Sequence, residues 1–184
     1  MSRIGAGECG NMDMEWYGVD KKGNVAVFCS GGEGNLPEFV CESKERADEL
    51  IEYFDRMKKT TSSMLMFPQT KVGRAEEVAR DFSDKGLYYF DADDGTKLGI
   101  CTFHEYYTKH SCPQNPLKYE LLPKYIKEIL KHNFMEIEDF SLVDTVYVKH
   151  DYITGSINSL KLLHAAQNRI LNIQSGLLFY LADY

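Results

Sequence analysis

The chain has 184 residues and a mass of 21.1 kDa, with 43% hydrophobic and 27% charged residues, which fits one soluble domain of roughly 100–200 residues. Its 21 basic side chains face 28 acidic ones, giving a formal charge of −7 and a pI near 5.3. With no block of Lys and Arg, the footprint of a nucleic-acid binder is missing. There is no run of about 18 apolar residues and no apolar N-terminal h-region, so neither a membrane span nor secretion is expected.

The five cysteines, Cys9, Cys29, Cys41, Cys101 and Cys112, are odd in number and form no CxxC pair, which points to reduced thiols in the cytoplasm. Residues 1–13 include Gly5-Ala6-Gly7-Glu8-Cys9-Gly10, the letters of GxGxxG. Without a strand before it or a helix after it, this segment reads as a flexible arm and not a dinucleotide fingerprint. Met14–Val19 and Val25–Ser30 flank a Gly-containing turn and predict a β-hairpin. The loop from Gly31 to Pro37 carries Glu33 but no Lys, Ser or Thr in P-loop positions, so it is read as a tight turn.

Ser43 is a suitable N-cap for a helix whose Ala47, Leu50, Ile51, Phe54 and Met57 form one apolar stripe. After the linker 58–63, Met64–Phe67 is apolar up to Pro68, and a second helix is expected after Thr70, burying Val72, Ala75, Val78, Ala79 and Phe82. Gly86 closes it. Leu87–Ala92 then reads as a strand, with a turn at Asp93-Asp94-Gly95 and a returning strand from Lys97 to about Tyr107. The acids at this turn lack the spacing of an EF-hand loop. Pro123 suits the first position of a short helix carrying Tyr125, Ile126, Ile129 and Leu130, followed by strands over 134–140 and 145–148.

The last 34 residues hold only four charged side chains, Asp151, Lys161, Arg169 and Asp183. Residues 151–184 are therefore expected as an apolar helix and tail that packs on its own domain or on a second copy. The expected architecture is a single α+β domain over 14–150, with a mostly antiparallel sheet built from hairpins and covered by three or four helices.

Chemistry-bearing motifs are sparse. If the second strand of the later hairpin continued, His104, His110 and Cys112 would share a face. A rise of about 3.3 Å per residue puts His104 and His110 roughly 20 Å apart, too far for one zinc ion, whereas His110 and Cys112 lie about 7 Å apart. A small enzyme using a Cys/His pair or a metal site near 104–112 is the alternative reading. No GxSxG, HExxH or Walker pattern occurs, so no catalytic residue, metal ligand or cofactor is assigned.

The 12 tyrosines and the acidic excess point instead to a protein-binding face, because Tyr anchors interfaces while carboxylates select a basic partner. Its expected members are Trp16, Tyr17, Glu33, Asp91, Asp93, Asp94 and Glu105, which hairpins and their loops can bring to one sheet edge.

Glu15-Trp16-Tyr17-Gly18-Val19-Asp20, Gly23–Gly32 with Gly34 and Pro37, and the later Asn115-Pro116-Leu117-Lys118 with Leu122, Pro123 and Ile126 resemble small, largely uncharacterised bacterial proteins. The resemblance covers residues 15–40 and about 86–148. Some of those proteins are similar to immunity proteins that protect a bacterium from its own polymorphic toxins. The resemblance thus implies a cytoplasmic inhibitor that binds a toxin, with no catalytic residues to carry over, and the acidic excess makes a basic toxin the expected target. Residues 150–184 fall outside it.

Overall fold

A computed structural model describes residues 2–5, 13–31, 34–66, 74–92 and 105–148. Strands β1 (Glu15–Val19) and β2 (Val25–Cys29) form the expected antiparallel hairpin, with Trp16 opposite Phe28 and Tyr17 opposite Val27. The turn between them needs a left-handed residue, supplied by Gly23 at φ 74°. Asp20 fixes it: Oδ1 accepts from the Asn24 amide at 2.8 Å and Oδ2 from the Asn24 side chain and the Phe140 amide. One buried carboxylate thus satisfies three donors and ties the hairpin to a segment more than a hundred residues away.

The chain continues through α1 (Glu38–Cys41), α2 (Lys44–Asp55), β3 (Ser63–Leu65), α3 (Arg74–Asp84), β4 (Tyr88–Ala92), β5 (Tyr106–Pro113), α4 (Lys124–Leu130) and β6 (Thr145–Tyr147). The strands form one six-stranded sheet in the order β1-β2-β4-β5-β3, with β6 also pairing β5. The β2–β4 pair is parallel and every other pair antiparallel, so the fold is α+β with a mostly antiparallel sheet in a single domain. Ser43 caps α2 as expected, its Oγ accepting from the Arg46 amide.

Both faces of the sheet are covered, and β2 is buried at every position. Helices α2, α3 and α4 close one face over Tyr17, Val25, Val27, Phe54, Phe82, Leu87, Tyr89 and Ile126. The other face holds an aromatic stack: Trp16 lies 3.9 Å from Phe28 at 7°, Phe90 follows at 4.9 Å, and Tyr107 and Phe140 meet Phe28 edge-on or nearly so.

Several expectations are corrected. Ser2–Gly5 belong to the fold: Ile4 is buried, its amide donates to the Cys41 carbonyl, and the Ser2 amide binds Glu45. On α3 the buried carboxylic residue is Glu76, while Ala75 is exposed. Strand β5 runs on to Pro113 instead of ending near Tyr107. Among the described residues after α4, a 3-10 turn at Phe140–Leu142 and short β6 are regular; residues 134–139 form a bridge and bends instead of a strand. The Asp93–Gly95 turn, His104 and residues 151–184 lie outside the described residues.

Candidate functional site: an acidic end of the sheet

Parallel strands β2 and β4 end side by side, and open sheets place ligands and partners at such ends. The register there aligns Glu15, Cys29, Asp91 and Thr108 across four strands. Each acid in the row is paired with a tyrosine two residues away on the same face, as strand alternation requires. The Tyr17 hydroxyl donates to Glu15 Oε2 at 3.3 Å and the Tyr89 hydroxyl to Asp91 Oδ2 at 3.0 Å. Asp13 sits beside the row, with Oδ1 accepting from the Gly31 amide.

Glu15 feels this crowding. Burial raises its carboxyl above the ordinary range, Asp55 at the end of α2 and Asp13 add to the rise, and the Tyr17 hydrogen bond and Lys85 offset part of it. Burial is the larger cause, and Asp55 and Asp13 add like charge to it, so three carboxylates act on one another at this end of the sheet. Helix α2 ends at Asp55, which acts on Glu15 in this region, and it has no base in its last turn. That arrangement opposes the helix dipole.

Of the residues expected on a binding face, Asp91 and Glu105 lie at this end, both half-buried. Trp16 and Tyr17 do not line a surface: each is 1% exposed. The reason is that both faces of the sheet are covered, so neither side of β1 is left to solvent. The space beside them is about 10 Å³, about enough for one water. Glu33, Asp93 and Asp94 lie outside the described residues. Sequence reasoning missed Asp13, Glu15 and Asp55. Glu15 was readable from its spacing to Tyr17, whereas Asp55 joins the cluster only through the packing of α2.

Strand β5 places His110 and Cys112, two residues of the Cys/His alternative, on opposite faces of the sheet. The pairing of β4 with β5 steps from Tyr89–Ser111 to Phe90–Lys109, leaving His110 as an extra residue in a bulge. His110 then meets Tyr89 and stands 4.0 Å from Asp91 on the helix-covered face, while Cys112 packs into the opposite cluster. Burial also raises the Cys112 thiol, and Cys29 is pushed well up by burial and by Glu15 and Asp91. Both remain thiols instead of nucleophilic thiolates at neutral pH.

Among the described residues no group of three or more His, Cys, Asp and Glu is arranged to hold a metal ion. No described helix is long and apolar enough to cross a membrane. The chain matches no protein-family model, no curated protein and no solved structure.

Proposed function

We propose that the protein is a cytoplasmic binding module for a basic protein, and that it acts as an immunity-type inhibitor which blocks its target by occlusion. The observation that carries this reading is Glu15, a half-buried carboxylate raised by its surroundings and held in register with Asp91 beside Asp13 and Asp55. A fold gains nothing by concentrating like charges at one end, but a basic partner gains both steering and complementarity. The net charge of −7 acts in the same direction.

The test is affinity capture from source cells at about 50 and about 300 mM salt, with the bound protein purified and its association rate measured against Glu15→Gln and Asp91→Asn. A stoichiometric basic partner whose association slows with salt and with either substitution supports the reading. Recovery of the chain alone, or a partner indifferent to salt and to both substitutions, overturns it. Light scattering of the same sample shows whether a second copy is present.

A further inference from the structure

We infer that the open cleft between α2 and α4 receives an arginine side chain of the basic partner; this rests on the reading of a basic protein target and names a second point of contact on it. The cleft has a volume of about 420 Å³ and is lined by Glu49, Glu52, Tyr53, Arg56, Met57 and Tyr125. Its two tyrosine rings stand 6.1 Å apart at 89°, and such an edge-on pair leaves ring face uncovered. Tyr125 is 54% exposed, one of few large apolar side chains on the described surface.

The polar groups of the cleft are left over from the fold. Among the described residues neither tyrosine hydroxyl is hydrogen-bonded and Glu49 has no ion pair, whereas Glu52 is held by Arg56 at 2.7 Å. The exposed ring of Tyr125, two phenols without hydrogen bonds and one carboxylate without an ion pair suit a planar cation that stacks and donates in several directions. A guanidinium does this and an ammonium does it less well. The occupant is assigned to a protein partner because the cleft adjoins the end of α2, where Asp55 acts on Glu15. A basic surface seated on the acidic sheet end would extend over it.

The test uses the full chain and two probes, N-acetyl-arginine methylamide and its neutral citrulline counterpart, followed by NMR. The expected result is saturable shifts of the Tyr53 and Tyr125 ring signals at millimolar arginine probe, roughly tenfold weaker for citrulline and roughly tenfold weaker in Tyr125→Ala or Glu49→Gln. Circular dichroism confirms that both variants stay folded. Shifts confined to the Glu15 and Asp91 end, or equal shifts with both probes, overturn the inference. So does a captured basic partner whose Kd is unchanged by Tyr125→Ala, an outcome that leaves the basic-target reading standing. If no basic partner exists, that reading falls while the probe titration still decides the cleft.

Discussion

Glu15 and Asp139 are two carboxylates with opposite effects on stability. Glu15 is raised, so the native state binds its proton more tightly than the unfolded chain does, and ionisation at neutral pH costs stability. Glu15→Gln keeps an acceptor for the Tyr17 hydroxyl and removes the cost. Its Tm should exceed that of the parent by about 1–3 °C at pH 7, and the gain should vanish by about pH 3.5, where the parent is protonated in both states. A gain that persists in acid would locate the effect in packing instead of charge. Asp139 behaves in reverse. Burial opposes its charged form, but the Lys22 ammonium at 2.8 Å and the Ser141 amide at 2.8 Å outweigh it and hold the carboxyl at about 2. Its contribution is complete above the ordinary carboxylate range and is lost as pH falls from about 4 to about 2. Asp139→Asn should therefore cost about 1 kcal/mol at pH 7 in urea melts, and the difference from the parent should close over that acid interval.

The bulge in β5 organises what surrounds it. It turns Ser111 toward α3, where its hydroxyl donates to the Ala79 carbonyl at 2.7 Å and lies 2.6 Å from the Ser83 hydroxyl. It leaves Lys109 on the opposite face, where the buried ammonium donates to the Phe140 and Ser141 carbonyls. Asp144 is 3.7 Å away, but its side chain is 87% exposed and its attraction is largely screened. The two carbonyl bonds are thus the main role of Lys109. Lys109→Met keeps the buried stem and leaves both carbonyls unanswered. Unfolding should become about 1–3 kcal/mol easier, with faster amide exchange around residues 140–142; exchange unchanged there would show that the anchor is elsewhere. None of this was legible in the sequence, because a bulge is set by cross-strand pairing and the residue pattern of β5 reads as plain alternation. Elements fixed by local signals were legible: the hairpin around Gly23, the Ser43 cap with the Leu50 and Phe54 stripe, and the helix end at Gly86, whose φ of 95° suits glycine. The acidic site was legible in part. The strand position of Asp91 was readable, but Trp16 and Tyr17 were expected at the surface because alternation distinguishes two faces and cannot say that both are covered.

Across the whole molecule, the two core clusters share one sheet and are joined through the backbone of single strands. Adjacent residues in β1 serve opposite sides: Trp16 stacks on Phe28 in one cluster, while Tyr17 stacks on Phe54 of α2 at 4.4 Å in the other. In β2, Phe28 and Val27 divide in the same way. Loss of β1 or β2 would expose both clusters at once, so neither has a route to unfold while the other persists. The protein has a single tryptophan, and it lies fully buried in the aromatic stack, which makes its fluorescence a reporter of that cluster alone. Among the described residues, the helices that contribute most to far-UV circular dichroism are α2, α3 and α4, which cover the opposite cluster. The two signals should trace one coincident urea transition, with a single midpoint and a single slope. Fluorescence that changes at lower urea than the helical signal would mean that the aromatic face opens first. In that case the shared strands do not couple the two sides, and the acidic sheet end at Glu15 and Asp91 would not be held rigid enough to present the preformed surface that the proposed function requires.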